Sequence, residues 1–241
     1  MKSHYDYQFL EWDSNFFGFK VAIIFISDKN ELELDQRLSL LKARGFTLVY
    51  VISDHYADFN MELMKMYDGR FVDEKVTYSK KVEGNFDSNI NLISYDKSFP
   101  TVSMISLAIE SGIFSRFKRD SRIGTAKFEE LYRLWIINSV NHSIASEVLI
   151  YTEKENILGL ITLSGEDKTS NIGIISVDSN SRGLGIGRIL MHGGELWAKE
   201  NGFNDINVVT QKDNIPACKL YEACGFYIKD TKYVYHFWLK N

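Results

Sequence analysis

Two cysteines, Cys218 and Cys224, are all that this 241-residue sequence contains. Both fall in one predicted helix, six residues apart, a spacing at which a disulfide does not form easily. Two thiols alone do not make a zinc site either. A reducing compartment suits such a chain. Residues 1–15 lack a basic start followed by an apolar stretch, so no signal peptide is visible. The longest early apolar run, Val21 to Ile26, is far too short to span a bilayer. These absences predict a soluble, cytoplasmic protein with no membrane association. An excess of positive charge is also missing. Lys and Arg number 28 against 32 Asp and Glu, a net charge of -4. Broad nucleic-acid binding, which needs a phosphate-neutralising basic surface, is therefore not expected.

What is present is ordinary globular material: 45% hydrophobic and 25% charged residues. The length suits one large domain or two small ones without disulfide staples. The 14% aromatic content is high and is assigned mostly to the core.

Periodicity gives a β-α-β-α-β pattern in the first third. Strands are read at Val21–Ile26, 46–52 and 71–82. Helices are read over Leu32, Leu34, Leu38 and Leu41, closed by Gly45, and over Met61–Met66. Residues 83–89 are polar and turn-rich and make the best linker. A strand follows at 90–94, then helices at 101–111 and 127–141. Three strands come next, at 148–151, 157–163 and 172–177. After these come a helix at 187–200, a strand at 206–210, a helix at 216–224 and a last strand at 233–239. A strand meander followed by β-α-β-α-β implies an α/β (α+β) fold with a mixed sheet covered by helices.

The most informative segment is Arg182-Gly183-Leu184-Gly185-Ile186-Gly187, which joins a strand to a helix. Glycines let the main chain approach an anion, and a helix start offers free N–H groups with a positive dipole end. Arg182 and Arg188 flank the turn and add positive charge. The same glycines can also simply make a tight strand–helix corner, and the run alone does not decide. A Walker loop fits poorly because Gly187 is followed by Arg188-Ile189. A dinucleotide fingerprint fits poorly because Gly183, Gly185 and Gly187 are spaced differently from it. Thirty residues on, Asn214 and Pro216 mark a helix start. Tyr221 follows two turns later. A phenol, with a reference pKa near ~10, lies close enough to a thiol at ~8.5 to protonate a departing thiolate. A core tyrosine is the plain alternative.

The pattern R-x-x-G-x-G after a strand, followed by N-x-x-A-x-x-L-Y-x-x-x-G-F, resembles the GNAT acetyltransferase superfamily over residues 90–241. The resemblance implies a GNAT fold, a mostly antiparallel central sheet flanked by helices, with acetyl-CoA as cosubstrate and no metal. It further implies that the backbone of Gly183, Leu184, Gly185, Ile186, Gly187 and Arg188 holds the CoA pyrophosphate, beside Arg182. The strand at Ile175, Ser176 and Val177 would pair with the pantetheine arm and polarise the thioester carbonyl. Asn214 would touch CoA, and Tyr221 would act as general acid.

A narrower resemblance rests on Leu10-Glu11-Trp12-Asp13-Ser14-Asn15-Phe16-Phe17-Gly18, on Ser115-Arg116-Phe117 followed by Asp120, on residues 135–140 and on Tyr233-Val234-Tyr235. This set is similar to dTDP-fucosamine acetyltransferases, which acetylate dTDP-4-amino-4,6-dideoxy-D-galactose for surface-polysaccharide synthesis. It implies a truncated GNAT-like domain at 1–88 on the acceptor side and a complete one at 89–241. A nucleotide-sugar acceptor would bind at Arg116 and Phe117, and the resemblance suggests a homodimer. Asp73, with Glu74 in reserve, is the candidate base, acting through water. His192 is read as structural. The alternatives kept are a protein, peptide or other small amine as acceptor, and a non-catalytic CoA-binding module.

Overall fold

The computed structural model describes residues 7–27, 30–84 and 90–239. In chain order the elements are β1 (Gln8–Phe9), α1 (Glu11–Phe17), β2 (Lys20–Ile26), α2 (Glu31–Ala43), β3 (Phe46–Ser53), α3 (Met61–Met66) and β4 (Gly69–Lys81). They continue as β5 (Ile93–Ser94), α4 (Val102–Ser111), α5 (Arg116–Arg119), α6 (Thr125–Val140), β6 (Glu147–Glu153), β7 (Asn156–Glu166) and β8 (Thr169–Val177). The chain closes with α7 (Ile186–Glu200), β9 (Asp205–Gln211), α8 (Ile215–Ala223) and β10 (Tyr227–Trp238).

The chain forms two compact units, residues 1–75 with 231–241, and residues 76–230. This division differs from the expected one at 88/89: the second half of β4 belongs to the larger unit and the end of the chain to the smaller. The linker proposed at 83–89 falls mostly on residues 85–89, which lie outside the described residues.

In the smaller unit β2 and β3 run parallel, with Ala22 opposite Val49. β1 pairs antiparallel with β2, and β10 antiparallel with β3, with His236 opposite Tyr50. β3 is apolar at almost every position and is buried from Leu48 to Ser53, as expected of a strand covered on both faces. α2 starts at Asn30, whose side chain accepts the Glu33 N–H, and buries Leu34, Leu38 and Leu41. Leu32, expected on that same face, is 69% exposed. Two residues before Leu34 on a helix, it points to the opposite side. α1 was not anticipated. Gly18 ends it with φ 79°, and Trp12 stacks on Phe16 at 5.2 Å. A seven-residue helix carrying adjacent aromatics has no periodicity from which to read it.

In the larger unit β5, β6, β7 and β8 form an antiparallel meander, and β8 then pairs parallel with β9. The whole is the mixed, mostly antiparallel sheet with flanking helices that was expected. α7 buries Ile186, Leu190, Met191 and Ala198 against Ile161, Leu163, Ile172, Ile206 and Val208. α4 and α6 bury Met104, Leu107, Ile136 and Val140 with Val148, Leu160 and Ile174. Gly194 admits the close packing of α7: a Cβ there would sit 3.1 Å from Ile161 Cδ1. The strand expected at 90–94 shortens to two residues, and β10 starts six residues before its expected onset. The aromatic residues serve the core, with Tyr50, Tyr78, Tyr235, Phe128 and Phe237 all but fully buried. Among the described residues no helix is long and apolar enough to cross a membrane.

Candidate active site

β8 keeps its antiparallel partner to the end, with Gly159 opposite Val177. Its parallel pairing with β9 runs only from Thr169–Asp205 to Ile172–Val208. Beyond Ile172 the two strands are not paired, although β8 continues to Val177 and β9 to Gln211. The side of β8 that carries Ile175, Ser176 and Val177 is thus an open main-chain edge next to β9. Ser176 is buried and its two neighbours half-buried.

From that edge the chain turns into α7. Asp178 accepts the Asn180 N–H at 3.0 Å and closes a 3-10 turn at Ser179–Ser181. Gly183 and Gly185 then adopt φ 80° and 84°, a region costly for residues with a Cβ. Gly187 is there for a different reason, since a Cβ on it would meet Leu220 Cδ2 of α8 at 3.1 Å. The first N–H of α7 to find a backbone acceptor is that of Arg188, on Gly185 O at 3.0 Å. The N–H groups of Gly185, Ile186 and Gly187 precede it and have no helical carbonyl behind them. Leu184 is 66% exposed. Arg188 is exposed and makes no ion pair among the described residues. Arg182, also exposed, is held by Glu110 of α4 at 3.1 Å. The arrangement is a run of amides at a helix start with one cation free to meet an anion.

α8 carries the next group. Asn214 caps it, accepting the Ala217 N–H at 3.4 Å and donating to Thr210 Oγ1 at 3.2 Å. Pro216 fits in the first turn, where no helical N–H is required. The Tyr221 side chain points inward and is 3% exposed. Burial, and after it the neighbouring Cys218 and Cys224 thiols, raise its pKa well above the ordinary phenol value. The hydroxyl therefore holds its proton at neutral pH. Both cysteines are free thiols, and burial pushes the Cys224 thiol up as well.

Sequence reasoning did not find Tyr78 on β4. Its ring meets the Tyr221 ring edge-on at 5.5 Å, and its hydroxyl donates to Glu222 Oε1 at 2.8 Å. Nothing in a strand of alternating polarity distinguishes such a tyrosine from core.

The one-turn helix α5 places Arg116 and Phe117. Phe117 is buried and packs edge-on against Trp135 at 6.1 Å, and the Arg116 guanidinium lies 4.6 Å over its ring. Asp120 ends α5 and is clamped by Arg122, with Nε on Oδ1 at 2.7 Å and a terminal nitrogen on Oδ2 at 3.0 Å. Arg119 is ion-paired to Asp213, so α5 is tied to the residue just before Asn214. Asp73 lies in the smaller unit, on β4, and is 3% exposed. Its side chain is enclosed, and Glu74 beside it is half-buried. His192, on α7, is half-buried. Among the described residues no three His, Cys, Asp or Glu side chains cluster as metal ligands would.

Residues 113–226 match the Acetyltransferase (GNAT) family. The chain is 33% identical over 73 residues to the streptothricin acetyltransferase of Escherichia coli, covering 30% of this chain and 42% of that protein. It is 25% identical over 138 residues to the spore coat polysaccharide biosynthesis protein SpsD of Bacillus subtilis (strain 168), covering 57% and 47%. The chain thus spans less than half the length of these curated relatives. Among solved structures, a GCN5-related N-acetyltransferase from Sphaerobacter thermophilus superposes with a TM-score of 0.52 at 13% identity, over 92% of this chain and 74% of that one. Its identity is low, so it speaks for the fold alone. The open β8 edge, the amide turn and the capped tyrosine helix all lie within residues 113–226, the segment that matches the Acetyltransferase (GNAT) family.

Proposed function

We propose that the protein transfers the acetyl group of acetyl-CoA to the amine of a nucleotide-linked amino sugar of the dTDP-4-amino-4,6-dideoxy-D-galactose type. The observation that carries the acetyl-CoA half is the β8 edge left open beyond Ile172, leading directly into a helix start with uncommitted amides. An extended pantetheine arm, itself an amide chain, would complete the hydrogen bonding of Ile175, Ser176 and Val177. The CoA pyrophosphate would lie on the amides of residues 183–188, with Arg188 supplying charge and Arg182 already placed by Glu110. Asn214 sits at the start of α8 for a CoA contact, although its capping bonds alone account for its presence.

The amine attacks the thioester carbon, and a strand N–H stabilises the developing oxyanion, worth roughly 3 kcal/mol per donor. Tyr221 serves the departing sulfur. Its raised pKa makes full proton transfer to a free thiolate uphill, by about 1.4 kcal/mol per unit of mismatch. The hydroxyl therefore acts chiefly as a neutral hydrogen-bond donor that yields its proton as charge builds on sulfur. Asp73, or Glu74, would take the amine proton through water, with the acceptor on the side of residues 1–88.

The sugar-nucleotide half rests on the resemblance of the opening and Ser115-Arg116-Phe117 segments, and on the polysaccharide-biosynthesis relative. Arg116, placed over the Phe117 ring, would meet a diphosphate or sugar oxygen. Phe117 is itself buried, so its part is to hold that guanidinium. The streptothricin acetyltransferase relative favours one other acceptor class, a small-molecule amine free of nucleotide. The deciding experiment measures CoA thiol release with dTDP-4-amino-4,6-dideoxygalactose, its UDP and 4-epimer analogues, streptothricin and a peptide amine at matched concentrations. The dTDP sugar should give the highest kcat/KM. A higher value for streptothricin or the peptide overturns the sugar assignment, and CoA binding without turnover of any amine overturns the enzyme.

A further inference from the structure

β4 grips α8 at two points, Glu222 and Cys224, that follow directly on Tyr221. Tyr78 packs edge-on against the Tyr221 ring at 5.5 Å and donates its hydroxyl to Glu222 Oε1, on the residue next to Tyr221, at 2.8 Å. Two residues along the same strand, and so on the same face, Lys80 donates to Cys224 O at 2.8 Å. That carbonyl closes the C-terminal end of α8. Lys80 also pairs with Glu195 of α7 at 2.8 Å and lies 5.7 Å from the Phe226 ring. Glu195 is 4% exposed, and a buried carboxylate is retained only with a partner.

These bonds do more than fill space. The ring of Tyr221 can turn about two side-chain torsions, and α8 is only nine residues long. Burial limits that turning, so the place of the hydroxyl follows where α8 lies, and a shift of about 1 Å is enough to slow catalysis about a hundredfold. We infer that Tyr78 and Lys80 are positioning residues, which fix the depth and direction of the Tyr221 hydroxyl by tying the end of α8 that carries it to β4. The inference rests on the proposed acid role of Tyr221.

The test is a double-mutant cycle. Tyr78→Phe keeps the ring and removes the bond to Glu222. It should lower kcat between about tenfold and a hundredfold, leave the dissociation constant for CoA unchanged, and leave thermal stability close to that of the parent. In a Tyr221→Phe background the same change should cost nothing further. Lys80→Met combined with Glu195→Leu removes the second hold without stranding a buried charge, and should behave in the same way. Equal losses in both backgrounds, or undiminished kcat in Tyr78→Phe, overturn the positioning role. Full turnover in Tyr221→Phe alone would instead remove the acid assignment beneath it, and the two failures are read from different variants.

Discussion

Gly187 and Leu220 meet where α7 begins and α8 passes, so closely that a Cβ on Gly187 would stand 3.1 Å from Leu220 Cδ2. The contact joins the amide turn to the helix of Tyr221. Gly187→Ala should be nearly neutral for stability. The helix gains up to about 1 kcal/mol from losing a glycine, and the flexible end of Leu220 has to shift only slightly. Gly187→Val has no such escape. Its branched carbons would force the helices apart, at about 1–3 kcal/mol. Calorimetric titration should show CoA binding weakened in the valine variant and little changed in the alanine variant.

The backbone of Gly185 makes the opposite demand. No heavy atom lies within 4 Å of a Cβ built there, yet φ is +84°. Gly185→Ala should therefore cost about 1–2 kcal/mol from conformation alone, and Gly185→Asn less, because a short polar side chain tolerates the left-handed region. Urea unfolding of the two variants gives the order. An alanine variant as stable as the parent would show that the turn adopts another conformation.

The elements that rest on periodicity were legible in the sequence: β2, α2, β3, α3, α4, α6 and α7 lie within two residues of their expected bounds. The Arg182–Gly187 turn was legible too, since glycine, a preceding strand and a following helix constrain one another. Tyr78 and Lys80 were not, because their importance comes from a strand placed against α8 from 144 positions away in sequence. Asp73 could be named as a carboxylate, but its enclosure could not, since burial of one strand residue depends on what covers it. Phe117 shows the same limit. Its motif pointed to a ligand, whereas its ring packs inward under Arg116.

Arg122 and Asp120 anchor the short helix that presents Arg116. The Asp120 side chain is 0% exposed and accepts two guanidinium bonds from Arg122. Arg122→Met should destabilise the fold by about 3–5 kcal/mol, the usual result when one partner of a buried pair is removed. Arg122→Lys should recover little of this, because an ammonium lacks the planar fork that meets the two carboxylate oxygens with two separate nitrogens. Chemical denaturation measures both. A loss under ~1 kcal/mol for the methionine variant would place the anchor of α5 elsewhere.

Stability should fall at alkaline pH for a definite reason. Burial raises the phenols of Tyr67 and Tyr235 to about 12, whereas unfolded tyrosines ionise near ~10. Above that pH the unfolded chain has released protons that the folded chain still holds, so stability declines as pH rises. The contribution is complete below the unfolded value and is lost through the interval up to about 12. Tyr235 has a specific stake, since its hydroxyl accepts the Ala57 N–H and donates to the Ala57 carbonyl, each at 2.8 Å. Tyrosinate absorbance followed against pH should therefore show exposed phenols titrating normally and a later, cooperative step that coincides with loss of the far-UV dichroism. Tyr235→Phe should lower stability at neutral pH and flatten its decline between pH ~10 and about 12. A decline as steep as the parent's would mean that other buried groups carry the alkaline transition.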